Sequence, residues 1–344
     1  MERKKVLLGM SGGVDSSAAA LVLKEQGYEV IGVTMQLFGK NEDNVRDAKA
    51  VCDNLKIEHY VYDYSEEFLD TVIADFLEQY KNAKTPNPCI VCNKFLKFGK
   101  MMEEAKKLGA DYIATGHYAN VEFADGKYLL KKSEADKKDQ TYVLYNLTQD
   151  LLAHVLFPLG KFNSKDEIRK LAQNAGLDVA NKPDSQEICF IPDNDYAKFI
   201  EERVGKFQEG NIVDIHGKIL GKHKGIIHYT IGQRKGLGIS SKEPLFVVSI
   251  CKERNEVVVG SENDLYSNEL FADKVNYISG VKPEKEFRCA AKIRYVAKPV
   301  ECTVYPLDGE KIKVVFDEKQ RAITPGQSVV LYDDNIILGG GIII

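Results

Sequence analysis

GMSGGVDSS, residues 9–17, joins the apolar run KKVLLGM (4–10) to a helical pattern that begins at Asp15. Glycines let a backbone close on an anion. The start of a helix adds unpaired N–H groups and the positive end of a dipole, so a strand–glycine–helix turn of this composition can cradle phosphate. The stretch lacks the Lys of a G-x-x-x-x-G-K-[ST] loop, which argues against γ-phosphate transfer. A glycine pair in such a turn also occurs in loops of purely structural duty, and the turn alone leaves both readings open.

Outward from this turn, strand and helix patterns alternate. KKVLLGM precedes a helix from Asp15 to Gln26 stopped by Gly27, then the strand YEVIGVTM and a helix from about Asp43 to Leu55. The strand HYVYDY follows, and then a long helix from Ser65, read as its N-cap, to Asn82. This βαβαβα rhythm predicts a parallel sheet with right-handed crossovers. Phe95, Phe98, Met102, Ala105 and Leu108 recur at helical spacing before DYIATG returns as strand. VEFADGKYLL predicts a hairpin turning at Asp125-Gly126, and Ser164 to Ala175 and Asn194 to Val204 predict two further helices. Beyond about Val204 come short β-type runs, among them LFVVSI, EVVVG, FRCAAKIRY, KIKVVF and IILGGGIII, with the spacing of small barrels or sandwiches. A chain of 344 residues exceeds one ordinary core, so several domains are expected. The fold class is α/β: a Rossmann-like parallel-sheet domain over 1–198, a small central domain over 199–266, and a C-terminal β-barrel over 267–344.

The chain is 44% hydrophobic and 28% charged, and no apolar run approaches the roughly 18 residues that a helical membrane span requires. MERKKVLLGM passes from basic residues straight into a strand without the pattern of a leader, so no membrane partner and a cytoplasmic location are expected. A reducing compartment disfavours structural disulfides among the seven cysteines and favours metal binding or catalysis for paired thiols. The net charge of −4 gives no global attraction to nucleic acid. Residues 215–242, however, contain no Asp or Glu and carry Lys218, Lys222, Lys224, Arg234, Lys235, Lys242 and three of the six histidines. They read either as a solvated hairpin surface or as a local contact for nucleic acid. Cys52, Cys251, Cys289 and Cys302 sit in helical or β patterns where filling a core is their default role.

The full string with Asp15, Ser16 and Ser17 resembles the pyrophosphate loop of the ATP-pyrophosphatase (PP-loop) family. The resemblance implies attack of a substrate oxygen on the α-phosphorus of ATP, with Mg2+ sharing the charge. TPNPCIVCNKFLKF (85–98), TGHYAN (115–120), DSQEICFI (184–191) and YTIGQRKGLGI (229–239), in that order, resemble the tRNA-specific 2-thiouridylase family essentially from Lys4 to Ile344. That family converts the C2 carbonyl of the wobble uridine of tRNA to a thiocarbonyl. The resemblance implies ATP binding by Gly9, Met10, Ser11, Gly12, Gly13, Val14, Asp15 and Ser16, with Met35 against adenine and Gly116 bordering the nucleotide; Asp15 is counted among the catalytic residues. It further implies tRNA contact by His117, by Lys138, Asp139 and Gln140, and by Arg294, Tyr295 and Gln327, with Asn87, Pro88 and Cys89 beside the target base. Taken singly, His117 reads as a satisfied strand-end histidine, 138–140 as a solvated loop, and Arg294-Tyr295 as an ordinary strand face.

In the family pattern Asp-x-x-Cys, Cys89 here stands where the carboxylate usually is. The usual scheme implies Cys92 as nucleophile, Cys189 as carrier of a persulfide, and a closing disulfide between them. Cys89, Cys92 and Cys189 are also three thiols that could hold three irons of a [4Fe–4S] cluster and leave the fourth iron open, as in related sulfur-inserting tRNA enzymes. The cluster on Cys89, Cys92 and Cys189 is the expectation adopted here, the cluster-free persulfide route its alternative. A structural zinc would want a fourth protein ligand. The sulfur donor would be a cysteine desulfurase, a sulfur-carrier protein or free sulfide. Two readings from other classes are a non-catalytic tRNA-binding protein with a relic nucleotide loop, and an amidotransferase or amide ligase, for which the sequence offers no ammonia source or amino-acid pocket.

Overall fold

The computed structural model describes residues 3–39, 42–182, 188–191 and 193–344, with only the backbone of Asp136 and Asn181. The first strands are β1 (Lys5–Gly9), β2 (Glu29–Gln36), β3 (Glu58–Asp63) and β4 (Tyr112–Ala114), followed by the hairpin β5 (Asn120–Ala124) and β6 (Lys127–Lys131) and the short β7 (Val155–Leu156). β3-β2-β1-β4-β7, in that order, form one parallel sheet. The two-residue β7 is too short to leave a pattern in the sequence. In the central strand Val6, Leu7 and Leu8 are all fully buried, as a strand covered on both faces must be.

One face of that strand, Val6 and Leu8, packs on helix α1 (Val14–Glu25), whose Ala18, Ala19 and Ala20 let it lie close, and on α2 (Glu42–Leu55). The other face, Leu7 with Ile31, Val33 and Ile113, packs on Ile90, Phe98, Met101 and Ala105. Those residues belong to an unbroken helical run composed of Pro88–Cys92, a π-helical stretch Asn93–Lys100, and Met101–Lys107. The π stretch alters the expected register. A wider turn delays the return to the same face, so Cys92, Leu96, Met101 and Ala105 are buried while Phe95, expected inside, is 48% exposed. A second π stretch, Leu69–Ile73, interrupts the helix predicted from Ser65. Ser65 is its first residue rather than its cap, and Asp63 Oδ1 accepts the Ser65 N–H at 2.9 Å. The helix expected from Asn194 begins at Tyr196, capped by the Asp195 carboxylate.

The hairpin turns where expected: Asp125 and Gly126 both have positive φ, 50° and 75°. Beyond residue 204, β8 (Gly210–Asp214), β9 (Ile219–His223), β10 (Phe246–Cys251) and β11 (Glu256–Gly260) form a central sheet ordered β10-β11-β8-β9. β12 (Tyr266–Tyr277), β13 (Phe287–Lys292), β14 (Val300–Leu307), β15 (Lys311–Arg321), β16 (Ser328–Asp333) and β17 (Ile336–Ile343) follow. β12 pairs with both β15 and β17, which closes these six strands into a barrel, and the β5–β6 hairpin is appended beside β17. Among the described residues no helix is long and apolar enough to cross a membrane.

Candidate active site

The glycine turn lies at the carboxyl end of β1, Met35 near the end of β2, and Gly116 just beyond β4, so the parallel sheet collects all three at one edge. Inside the turn the serines are used on the backbone. Ser16 and Ser17 hydroxyls donate to Gly13 O at 3.1 and 2.9 Å, and Ser11 N–H donates to Ser16 Oγ at 3.2 Å. Gly12 has φ +70°, and a Cβ there would stand 2.5 Å from Asn44 O at the start of α2. Gly116 closes the opposite wall, where a Cβ would stand 2.9 Å from the Asp15 carbonyl carbon and the Ser16 nitrogen. Asp15 is held by two partners, accepting from the Tyr118 hydroxyl at 2.8 Å and from Lys165 Nζ at 3.0 Å. Lys182 Nζ donates to Gly12 O at 3.2 Å and pairs with Asp47. Neither lysine belongs to a sequence motif that marks it for the turn. Each comes from far along the chain; the helical pattern expected from Ser164 to Ala175 contains Lys165 but does not tie it to the turn.

The two cysteines of NPCIVC differ in environment. Asn87 caps the helix by accepting the Cys89 N–H at 3.1 Å, and Pro88 takes the first helical position, where a missing N–H costs nothing. Cys89 is exposed and Cys92 is only 6% exposed, one helical turn later on the inward face. Cys92 shares a core cluster with Phe190 and Ile191, which brings the Cys189 segment to it; Cys189 itself is exposed. Residues 184–187 of DSQEICFI lie outside the described residues. Burial pushes the Cys92 thiol up to about 11, with Cys189 and Cys89 adding to the rise and Lys97 opposing it. Burial also raises Cys189, and Cys89 adds to that rise. The three sulfurs therefore lie within electrostatic reach of one another.

The cluster expected on Cys89, Cys92 and Cys189 finds no support in this arrangement. Among the described residues no group of three His, Cys, Asp or Glu side chains is placed to hold a metal ion. The reason is local: Cys89 points out from the helix while Cys92 points into the core.

The residues expected to meet tRNA divide into exposed and internally engaged groups. Tyr295 is 40% exposed, and its hydroxyl, raised chiefly by burial, also feels Asp139 and Cys89, so the barrel loop around it borders the thiols. His117 is buried at 9% exposure, with Nδ1 2.8 Å from Thr115 Oγ1 and its ring against Phe98 and Phe157. Burial holds it well below the ordinary imidazole value, hence neutral. Gln140 Oε1 accepts the Tyr118 N–H at 3.0 Å, while Asp139, raised by burial, accepts from Thr141 Oγ1 at 2.7 Å. Lys138 lies in the short helical turn just before them. Arg294 donates to Ala322 O and Thr324 Oγ1, both at 2.8 Å, and to Ile231 O of the central domain at 3.4 Å. Gln327 Nε2 donates to Thr85 O at 2.7 Å while Thr85 N–H donates to Pro325 O at 2.9 Å, clasping the start of the cysteine segment to the barrel. In the basic stretch 215–242, Lys218, Lys222, Lys224, Arg234, Lys235 and Lys242 are exposed. His223 is buried against Asn255 O at 2.9 Å and His228 faces Glu201 at 3.3 Å.

Three family models match in sequence: the tRNA methyl transferase HUP domain over 4–193, the tRNA methyl transferase PRC-barrel domain over 197–261, and the aminomethyltransferase beta-barrel domain over 267–343. Among curated proteins, the chain is 54% identical to the tRNA-specific 2-thiouridylase MnmA of Clostridium botulinum (strain Alaska E43 / Type E3), covering 100% of this chain and 98% of that one. It is 53% identical to the protein of the same name from Acetivibrio thermocellus, with all of both chains covered. The counterpart of Clostridioides difficile (strain 630) is 52% identical, covering 99% of this chain and 98% of the other.

Proposed function

The chain belongs to the tRNA-specific 2-thiouridylase family, and from that premise we propose that this tRNA-uridine 2-sulfurtransferase uses ATP to exchange the C2 oxygen of the wobble uridine for sulfur through an adenylated intermediate. The observation that carries the reading is the conjunction of a phosphate-cradling turn without a Walker-type lysine and a thiol set within one domain. The family models carry the words methyl transferase. Methyl transfer from an activated methyl donor has no use for ATP or for paired thiols, whereas thiolation needs both.

The chemistry follows from the leaving group. Oxygen on a urea-like carbon departs poorly. Attack of that oxygen on the α-phosphorus releases pyrophosphate and leaves a C2–O–AMP bond that breaks readily. Backbone N–H groups of Gly12 to Ser16, at the start of α1, would meet the phosphates, and Gly116 keeps the opposite wall close to the turn. Mg2+ at such sites is held mainly by phosphate oxygens with one or two carboxylates; Asp15, shared with Tyr118 and Lys165, is a carboxylate beside the turn that would contribute, and the ion would supply positive charge to the triphosphate.

For the sulfur step the thiols themselves serve. Cys189, exposed where Cys92 is buried, receives sulfane sulfur from a donor persulfide. Its terminal sulfur attacks C2, and AMP leaves with the C–O electron pair. The Cys92 thiolate then attacks Cys189 Sγ, the S–S bond breaks toward the nucleoside as a thiocarbonyl, and a Cys92–Cys189 disulfide remains. The two thiols supply the two electrons that reduce the sulfane sulfur, and a dithiol reductant restores them. The number of cysteines, with Cys89 third, favours a cluster; among the described residues their present placement does not. The exposed lysines of 215–242 and the barrel loop at Tyr295 supply surfaces for tRNA phosphates and for the anticodon loop.

The test supplies ATP, a tRNA transcript and a persulfide donor, and measures pyrophosphate and 2-thiouridine. Equal yields are expected, with Cys92→Ala and Cys189→Ala still releasing pyrophosphate but forming no thiouridine. Activity that requires iron and sulfide and disappears in Cys89→Ala would replace the thiol route by the cluster. Absence of pyrophosphate under all donors would remove the adenylation reading.

A further inference from the structure

The phosphate turn contains no cation of its own: residues 9–17 hold no Lys or Arg. Pyrophosphate is nevertheless a highly charged leaving group, and its departure is favoured by fixed positive charge at the β- and γ-phosphates. Two lysines from elsewhere reach the turn. Lys165 is the first residue of helix Lys165–Asn174, fixed by the Ser164 cap and by Ile168 and Ala172 packed in the same core as α1. Its side chain is 12% exposed and its Nζ stands 3.0 Å from Asp15 Oδ2. Lys182 approaches from the other side, with Nζ 3.2 Å from Gly12 O and paired with Asp47 of α2. The Lys182 ammonium holds the Asp47 carboxyl below its usual range. A half-buried ammonium on a backbone carbonyl inside an anion-binding turn is poised for a ligand with more negative charge than a carbonyl offers.

We propose that Lys165 and Lys182 receive the β- and γ-phosphates of ATP and hold the departing pyrophosphate, with Asp15 and Asp47 as the counter-charges that position them. The assignment rests on the ATP reading above and adds to it the residues that replace the missing Walker-type lysine. A purely structural role, in which the two lysines only buttress the turn, has a different signature: it weakens every ligand of the turn alike, adenosine included. Charge on the phosphates weakens only ligands that carry them.

Calorimetric titration of the full chain with Mg-ATP, with pyrophosphate and with adenosine separates the two. Lys165→Met and Lys182→Met are each expected to weaken ATP and pyrophosphate by roughly tenfold or more, the scale of one charge-assisted contact. Adenosine affinity stays unchanged, which also reports that the variant is folded, and Lys→Arg at either position recovers most of the loss. Equal weakening of adenosine and ATP, or Met variants that bind ATP as the wild type does, overturns the assignment. Wild-type protein that binds neither ATP nor pyrophosphate overturns the nucleotide reading itself, whereas wild-type binding with unaffected variants overturns the lysines alone.

Discussion

A thiol held protonated by burial is a slow nucleophile, and Cys92 is such a thiol, its pKa pushed up to about 11. Raising the pKa of an acid moves its charged, reactive form to higher pH, so alkylation of Cys92 by iodoacetamide rises with pH until it nears that value. Exposed Cys89 reacts first. Peptide mass spectrometry after timed alkylation checks the order; Cys92 reacting as fast as Cys89 at neutral pH contradicts it. Lys97→Met, which removes the opposing charge, slows Cys92 further. His117 gives a prediction with the opposite sense. Its folded pKa lies well below 6.5, so beneath that pH the unfolded chain binds a proton that the folded chain refuses. Stability therefore falls as pH drops below 6.5, by up to about 1.4 kcal/mol per pH unit for one such group. His59 and His228 act in the same direction. Urea midpoints between pH 7 and pH 5 check this, and His117→Gln flattens the slope. At this scale the sequence made the turn legible, because glycines and serines close together in a chain announce a local shape. It left Lys165 and Lys182 silent, because each meets the turn across a separation of 150 or 170 residues.

Helical phase is where pattern reading and structure part company at the scale of elements. The spacing Phe95, Phe98, Met102, Ala105 assumes 3.6 residues per turn throughout, and the π stretch Asn93–Lys100 breaks that assumption. Leu96, not Phe95, is buried there, at 1% exposure. Leu96→Ala is accordingly expected to lower stability by about 2–5 kcal/mol and Phe95→Ala by less than about 0.5 kcal/mol, read from denaturant midpoints. Comparable losses at the two positions would mean that the ordinary phase holds. The π turn also has a use: it lets Cys92 and Phe98 face the core while the helix still follows the sheet. Gly116 is the corresponding point on the strand side. A Cβ 2.9 Å from the Asp15–Ser16 backbone must push the turn outward. Gly116→Ala is expected to raise KM for ATP by roughly tenfold while adding little to the unfolding rate, as steady-state kinetics would show. Strands keep closer to their local signals: the Asp125-Gly126 turn and the parallel pairing of the first strands agree with the pattern, while the order β3-β2-β1-β4-β7 is set by tertiary contacts.

Over the whole molecule, domains that look separate in sequence share one core. Val330, Tyr332 and Ile337 of the barrel pack in the cluster that contains Leu7, Ile113 and Phe98 of the parallel sheet. Tyr142 donates to Ser328 O at 2.8 Å, Asn276 to Tyr145 O at 2.7 Å, and Gln149 to Ile278 O at 2.8 Å. The first and last domains are therefore expected to melt in one calorimetric transition, and two resolved transitions for them would contradict the shared core. Arg294 and Gln327 take on a second meaning in this light. Motif resemblance implied tRNA contact, and their hydrogen bonds tie the barrel to the central domain and to Thr85. Pattern in sequence marks such residues without telling whether they touch a ligand or fix the parts that do. Beneath all of this lies one chemical event, departure of the uridine C2 oxygen as part of AMP. Its most direct measurement uses a tRNA carrying oxygen-18 at C2 of the wobble uridine and follows the label by mass spectrometry. The account predicts AMP heavier by that one oxygen, in step with 2-thiouridine; thiouridine formed alongside unlabelled AMP would contradict it.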